Sequence, residues 1–513
     1  MLKNHPKGLI SASLTNMGER FGFYIMMGIL LLFLQAKFGL SGKEASVIYS
    51  IFYASVYVLA LVGGIIADSM KNYKGTILVG LIVMAAGYVM LGIPTPTQAT
   101  GMTPWLIFTC AALAFISFGN GLFKGNLQAL VGRMYDNDTY RDKRDSGFSL
   151  FYMFINVGAV FAPLVAVAIR NWWVQHNGFV YNADLPERCH QILNGTLPEN
   201  AKAQVMEMIQ AANNGTAVAT EGLQEFALKY IQVFSTGFHY AFLAAVFFIA
   251  ISFLIYIINK HQYPADQKAN AVTEAHKDQK QEIKMAADEI RQRIIALCAV
   301  FGVVIFFWMS FHQNGVSLTQ FAKDYIDLSS VKLDLGFTSI VGAEMFQSIN
   351  PFFVVTLTPL LLFIFGFLKK RNMEPSTPKK IVIGMFIAAL AFVVMAIGSM
   401  GLPTFEERNA GVEFTKVSPW LMVLTYMILT IAELFISPMG ISFVSKVAPP
   451  HLQGIMQGLW LCATAVGNSL LFVGMILYES LSISATWIVF TCACALSMLV
   501  MLSMVKWLER VAK

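Results

Sequence analysis

Long apolar runs recur along the whole chain, separated by short polar connections. Twelve can be read, at roughly 14–38, 44–67, 75–94, 104–131, 146–170, 237–259, 294–318, 348–368, 378–401, 417–446, 453–477 and 484–507. A helix needs about 20 mostly apolar residues to cross a bilayer. The glycines and prolines inside these runs suit membrane helices, where neighbours satisfy the backbone groups that a break frees. The alternating segments of about 10 residues expected of a membrane β-barrel are missing from the pattern. The pattern predicts an all-α membrane protein with twelve transmembrane helices.

The runs fall into two sets of six. Residues 1–259 are expected to form an N-terminal six-helix bundle and 294–513 a C-terminal one. The charged stretch 260–293 between them, containing "KDQKQEIKMAADEIRQR", reads as a cytoplasmic helix or linker. Two six-helix halves point to a transporter with a midplane site between repeats. A polar insertion, 171–237, separates the fifth and sixth runs. Within it "ENAKAQVMEMIQAANNG" and "EGLQEFALKYIQVF" predict short amphipathic helices that fold over one surface.

Orientation follows from basic residues in the connections. Of 36 Lys and Arg, 24 lie in segments on the N-terminal side and 10 on the other, with Arg20 and Lys124 inside helices. Both termini are therefore expected in the cytoplasm of a multi-pass cell-membrane protein, with the insertion outside. The composition agrees: 56% apolar and 13% charged, against about a quarter charged in soluble domains. The net charge of +6 fits cytoplasmic loops beside anionic lipid and gives no argument for nucleic acid. Six cysteines make no disulfide framework, since five lie in apolar runs and Cys189 stands alone in the insertion. "TCAC" is not a metal-ligand spacing. No short apolar core with a small-residue cleavage site opens the chain, so the first helix is expected to be retained. Asn194 and Asn214 lie in N-x-T patterns, as does Asn137 on the opposite side, so the pattern decides nothing. No nucleophile triad, phosphate loop or metal spacing appears. An enzyme, a metal or an organic cofactor is not expected.

Five places carry polar groups inside the apolar runs. An ionisable group at mid-bilayer costs on the order of several kcal/mol unless it meets a cavity or a partner. In "TNMGERFGFYIMMGILLLFL" Asn16, Glu19, Arg20, Phe23, Tyr24 and Met27 share one helical face; a local ion pair that packs the bundles is the plain alternative. In "FGNGLFKGNLQALVG" glycines flank Lys124, which allows close helix approach and room for the amine; a snorkelling lysine is the alternative. Glu433 in "TIAELFISPMGISFVSKVAPP", followed by Ser437 and Pro438, points to a helix opened onto a cavity, against a buried protonated carboxyl. His312 in "FFWMSFHQNG" is either a packing residue or a titratable group near neutral pH. Asn156 and Asn350 can bond across helices or to a substrate backbone. Cations in the first half and an anion in the second match a zwitterion, with charge-assisted contacts at each end. Tyr24, Tyr57, Trp308 and Trp460 are candidates for an amphipathic wall.

"NMGERFGFY", "GGIIADSMKNYKGT", "GLFKGN", "FYMFINVGA", "FQSINP" and "ELFISPMGISFVSKVAP", followed by "GLW", occur in this order. Together they resemble the proton-dependent oligopeptide transporter family of the major facilitator superfamily, across nearly all twelve helices. The resemblance implies two bundles that alternate access and carry di- and tripeptides inward with protons. It implies that Arg20 and Lys124 hold the peptide carboxylate and Glu433, with Ser437 nearby, the amine. Asn156 and Asn350 would contact peptide backbone or amine. Tyr24 and Tyr57 would line the carboxylate side, and Trp308 and Trp460 the side-chain pockets. Glu19 would pair with Arg20 or Lys124 and share in proton coupling. A monomer in the bilayer is expected, with the proton as coupling ion.

The sequence departs from the family's ExxERFxYY pattern. Asn16 replaces the first Glu, and Phe23 the first aromatic hydroxyl. Met27 stands where members commonly have Arg, and His312 where they have a helix-seven Glu. Those two form a gate ion pair in the family, and losing both together leaves neither charge buried alone. Either Glu19 and His312 carry the coupling proton, which is the expected case, or coupling is weak and transport approaches facilitated diffusion. A transporter of nitrate-like anions is the nearest rival, although a lone anion has no evident use for Glu433. A receptor or scaffold on an inert transporter fold is the rival from another class.

Overall fold

The computed structural model describes residues 5–511, apart from 99, 137–138, 141–142, 265–286 and 450–451, and apart from the side chains of 145, 287, 453 and 454. Most of the charged stretch between the two halves and the Asn137 pattern lie outside the described residues. Five long helices come first: α1 (Lys7–Phe38), α2 (Gly42–Met70), α3 (Tyr73–Gly92), α4 (Thr103–Arg133) and α5 (Arg144–His176). The insertion holds α6 (Leu185–Asn194) and α7 (Lys202–Ala212), and α8 (Leu223–Asn259) follows. The second half contains α9 (Ala287–Phe311), α10 (Ser317–Tyr325), α11 (Ile349–Lys370), α12 (Thr377–Gly398), α13 (Phe405–Asn409), α14 (Trp420–Val447), α15 (Gln453–Ser469), α16 (Phe472–Ser480) and α17 (Ile483–Val511). A two-stranded antiparallel hairpin, β1 (Leu333–Asp334) and β2 (Ser339–Ile340), lies between α10 and α11 in the register Leu333 to Ile340.

Among the described residues, twelve spans are long and apolar enough to cross a membrane. Their outer faces carry Ile51, Ile107, Phe247 and Phe363, each more than 60% exposed. Such a surface suits hydrocarbon and would aggregate in water. The chain is a multi-pass membrane protein.

Local chemistry sets several helix ends. Ser41 caps α2: its hydroxyl accepts the Glu44 N–H, and the Glu44 carboxylate accepts the Ser41 N–H at 2.9 Å. Thr404 and Glu407 repeat this capping box at α13. Gly39 ends α1 at φ 66° under the His190 ring, where a Cβ would lie 2.8 Å from Nδ1. Close helix approach relies on glycine too. A Cβ on Gly121 of α4 would stand 2.4 Å from the Leu59 carbonyl of α2.

In the first half, α1 packs on α5 and α8, while α2 and α3 pack on α4. In the second, α12 packs on α14 and α17, and α9 on α15 and α17. Between the halves, α2 meets α15 and α16, and α5 meets α11. At the end that carries the insertion, polar bonds join the halves. Gln35 donates to Gln320 at 2.9 Å, the Lys43 N–H donates to Glu479 at 3.0 Å, and Arg170 pairs with Glu344.

Three local expectations are corrected. The segment "EGLQEFALKYIQVF" is not a separate amphipathic helix but the first part of the 37-residue α8; its buried residues Phe226, Tyr230 and Phe234 continue the packed face of the span. The runs at 294–318 and 453–477 are not continuous helices. A 3-10 turn, His312–Gly315, separates α9 from α10, and α15 stops at Ser469 before α16. The helix after Glu433 is not opened: α14 runs from Trp420 to Val447 with Pro438 inside it. Proline removes one N–H donor from the ladder, and that loss does not break α14.

Candidate functional site

The site is built where α1, α2, α4 and α5 of the first half face α9, α11, α14 and α15 of the second. On α1, Glu19 and Arg20 are both buried and form a two-point ion pair, with Arg20 Nε donating at 2.6 Å and a guanidinium nitrogen at 2.8 Å. Asn120 of α4 donates to the same Glu19 carboxylate at 2.8 Å. The Arg20 guanidinium also stands over the Phe23 ring at 4.6 Å. Glu19 therefore pairs with Arg20, the first of the two partners expected for it. Lys124 is left with its ammonium over the Tyr57 ring, 4.6 Å from the centroid. Asn16 and Met27 are buried on α1, and Met27 belongs to the apolar core.

In the second half, Asn350 at the start of α11 donates to the Glu433 carboxylate at 2.9 Å and to the Thr430 hydroxyl at 3.0 Å. This fixes one carboxylate oxygen toward α11. Tyr24 lies within electrostatic reach of Arg20, Glu19 and Glu433, and Tyr57 within reach of Arg20 and Glu433. The two tyrosines thus bear on charges of both halves. Tyr152 of α5, half exposed, lies near Glu433, Tyr24 and Tyr57. Asn156 is turned back along α5, donating to the Tyr152 carbonyl at 3.1 Å.

His312 sits at the break between α9 and α10, and Asn468 at the break between α15 and α16. Their side chains meet at 2.5 Å, His312 Nδ1 to Asn468 Oδ1. The imidazole is stacked on Trp308, with centroids 5.0 Å apart and planes at 17°, and it faces Tyr53 of α2 at 4.9 Å. Gln313 ties the same two breaks together by donating to the Leu471 carbonyl at 3.2 Å. With Asn468 accepting, Nδ1 carries the proton and Nε2 is left as the basic nitrogen. Lys124 is the charged group that bears on this ring from the opposite half. The tip of the Trp460 indole fills the Cβ position of Gly440, and the ring meets Phe301 edge-on at 6.2 Å. Ser437 is half-buried, one turn beyond Glu433.

The structure thus gathers Glu19, Arg20, Tyr24, Tyr57 and Lys124 on one side, and Asn350, Glu433, His312, Trp308 and Trp460 on the other. It does not bring Met27 into a polar contact with His312. Four members were not singled out in the sequence: Asn120, Tyr53, Thr430 and Asn468. Asn120 lies in "FGNGLFKGN", beside Lys124, and a polar residue there is as conspicuous as the lysine. Asn468 in "TAVGNSL" gives no such signal until the helix break is seen.

Chemically, the arrangement is suited to holding a ligand that carries both charges. One wall offers an ammonium with no ion-pair partner among the described residues, together with aromatic hydroxyls, and the other a carboxylate held by Asn350. Among the described residues, no group of three or more His, Cys, Asp or Glu is arranged to hold a metal ion.

Residues 74–277 and 265–486 match the sequence model of the POT family, PTR2. The peptide transporter YePEPT of Yersinia enterocolitica is 29% identical, over 90% of this chain and 86% of that protein. Dipeptide and tripeptide permease B of Xenorhabdus bovienii is 28% identical, over 91% of this chain and 86% of that one. Among solved structures, a mutant peptide transporter POT in complex with sulfate aligns with a TM-score of 0.72 at 22% identity, covering 100% of this chain and 96% of that chain. A POT family transporter in complex with 5-aminolevulinic acid aligns with the same TM-score at 21% identity, covering 100% and 98%.

Proposed function

The chain belongs to the POT family, and from that premise we propose that it carries di- and tripeptides across the cell membrane by alternating access, with the proton as coupling ion. The observation that carries this reading is the separation of charge across one site. Lys124 and Arg20 stand on the first half, and Glu433, held by Asn350, on the second. A peptide zwitterion offers the complementary pair. Its carboxylate goes to Lys124, because Arg20 is already neutralised by Glu19 and serves to orient the wall. Its amine goes to Glu433, and Tyr24 and Tyr57 line the path between.

In this reading the insertion end faces outward and both termini lie in the cytoplasm. Residues 1–259 and 294–513 act as the two moving bundles, and one chain is the working unit. His312, with Nδ1 held by Asn468, offers Nε2 as the proton site, and Glu19 is the second carrier. A zwitterion moving with one proton transfers one net charge, worth about 2.3 kcal/mol per 100 mV. The test is uptake into proteoliposomes of a dipeptide, a tripeptide and nitrate, with and without an imposed proton gradient. Dipeptide uptake stimulated by the gradient is the expected result. Competition by nitrate and none by dipeptides would overturn the substrate assignment.

A further inference from the structure

The insertion has no part in the site described above, yet it joins a cluster of mostly buried charge. Its short helix α6 is anchored to the first half. Leu185 and Cys189 are fully buried, and the His190 ring bonds the Ala36 carbonyl of α1 at 2.8 Å. Tyr230 of α8 accepts the Asn182 N–H at 3.1 Å just before it. The opposite edge of α6 reaches across to the second half. Glu187 receives Lys323 of α10 at 3.1 Å. Asp184 pairs with Arg408 of α13, and Lys416 stands 3.6 Å from it. Arg408 also meets Asp324 at 3.1 Å, and Tyr478 donates to Asp324 at 3.0 Å. Arg188 adds a bond to the Asn409 carbonyl at 2.9 Å.

Asp184, Arg408, Lys323 and Asp324 are each at least nine-tenths buried. Asp184 and Glu187 at α6 thus face Lys323, Arg408 and Lys416 of the second half, with Arg188 and Asp324 completing the cluster. Deeper in the boundary, Met27 sits in the apolar core, and His312 is bonded within its own half to Asn468. Beneath α6 lies a cavity of about 370 Å³, whose walls include Gln35, Arg170, His190, Gln320 and Glu344. It is bounded by residues of both halves, as a collapsed vestibule would be.

We infer that α6 is a latch that closes the insertion end of the transport path: it rides on the first half, and its carboxylates, Asp184 and Glu187, must release Arg408 and Lys323 before that end opens. The inference rests on alternating access as proposed above. Substrate and proton act at mid-membrane, and the latch sets how readily the outer end parts. The insertion thus supplies an ionic restraint that Met27 and His312 do not.

Two measurements test it. In the first, Met27→Cys reports opening through its rate of modification by a membrane-impermeant methanethiosulfonate added at the insertion side, read at that site by mass spectrometry. Adding Asp184→Asn with Glu187→Gln should raise the rate at least tenfold. The charge-swapped pair Glu187→Lys with Lys323→Glu should return it to within threefold of the parent. Unchanged rates after removal of both carboxylates overturn the latch, whatever the protein transports. In the second, Glu187→Cys and Lys323→Cys are joined by a short reducible bis-methanethiosulfonate. The bridged protein should lose dipeptide uptake at least tenfold and recover on reduction, while dipeptide still raises its thermal unfolding midpoint. Full transport when bridged would show α6 travelling with the second half and would end the proposal, as would failure of the two thiols to bridge. A parent protein that neither binds nor transports any dipeptide would instead refute the function proposed above, and the modification rates would still judge the latch.

Discussion

Lys124 offers the sharpest test of how the site reads a peptide. Glu19 is bound by both Arg20 nitrogens and by Asn120. Among the described residues, no carboxylate lies within ion-pair distance of the Lys124 ammonium, whose recorded contact is the Tyr57 ring. A peptide carboxylate placed there completes a charge-assisted pair. At 4 Å and an effective dielectric of 20, the bare Coulomb term is about 4 kcal/mol. Desolvation of the half-buried amine takes back part of it, and hydrogen bonds to charged groups contribute about 1.5–3 kcal/mol in mutational series. A net value near 2 kcal/mol corresponds to roughly 30-fold in affinity. Lys124→Gln should therefore weaken half-maximal dipeptide binding about 30-fold. The carboxyl-amidated dipeptide should bind the parent protein about 30-fold less well than the free acid. The decisive step is their combination: the variant should distinguish acid from amide by less than threefold. Competition against a labelled dipeptide in proteoliposomes measures all four values, with thermal unfolding as the control for folding. A variant that still prefers the acid by the parent's full ratio would place the carboxylate elsewhere and refute the reasoning.

Four further outcomes follow. Glu433→Gln should cost about tenfold for a free dipeptide and leave an N-acetylated one unchanged, since an amide keeps Asn350 satisfied but forfeits the charged contact; competition assays read both. Asn468→Ala should leave dipeptide affinity within threefold but shift the pH profile of uptake, because it frees the His312 tautomer, and His312→Ala should remove the gradient stimulation; flux at several pH values checks this, and full stimulation in His312→Ala would sink the assignment. Glu19→Gln should destabilise the protein by about 3–5 kcal/mol by leaving Arg20 buried without its counter-charge, and adding Arg20→Met should recover most of that loss; thermal unfolding of the four proteins gives the cycle. Burial would raise the Glu187 carboxyl, but Lys323, Arg408 and Arg188 outweigh it and hold it at about 2 instead of 4.5. A depressed carboxyl contributes stability that is present above its ordinary value and lost only as the pH falls through about 4.5 toward 2. The latch is thus fully charged between pH 5 and 8, and Glu187→Gln should change the rate of uptake while leaving the shape of its pH dependence intact.

The fold was legible because the twelve apolar runs answer to the thickness of the bilayer, which acts on each segment separately. The breaks were not. "FFWMSFHQNG" and "TAVGNSLLFV" are apolar enough to pass as continuous helix, and the bonds that hold their interruption, His312 to Asn468 and Gln313 to the Leu471 carbonyl, form only in the folded chain. Pro438 misled in the other direction, since a helix can absorb one lost donor. At the site, charges inside apolar runs are costly and therefore conspicuous, which is why Glu19, Arg20, Lys124 and Glu433 stood out. The latch residues were silent for the opposite reason. Asp184, Glu187, Lys323 and Arg408 lie in polar segments where charge is ordinary, and only tertiary packing brings them together and buries Asp184, Lys323 and Arg408.

The length of α8 has a mechanical consequence. At about 1.5 Å per residue its 37 residues run about 55 Å, well beyond the roughly 30 Å of hydrocarbon. One end lies under α6, where Phe226 and Tyr230 are buried, and the other is tied to the start of α3 by Tyr256, which donates to the Lys74 carbonyl at 3.2 Å. It is a single spar without a break, fastened at both tips. If the first half rocks as a rigid body by about 10°, a tip roughly 30 Å from the pivot swings through about 5 Å. That travel exceeds the length of the ion pairs at α6. The outer closure then needs no hinge of its own, and a small tilt started at the centre of the bilayer arrives there enlarged and without slack.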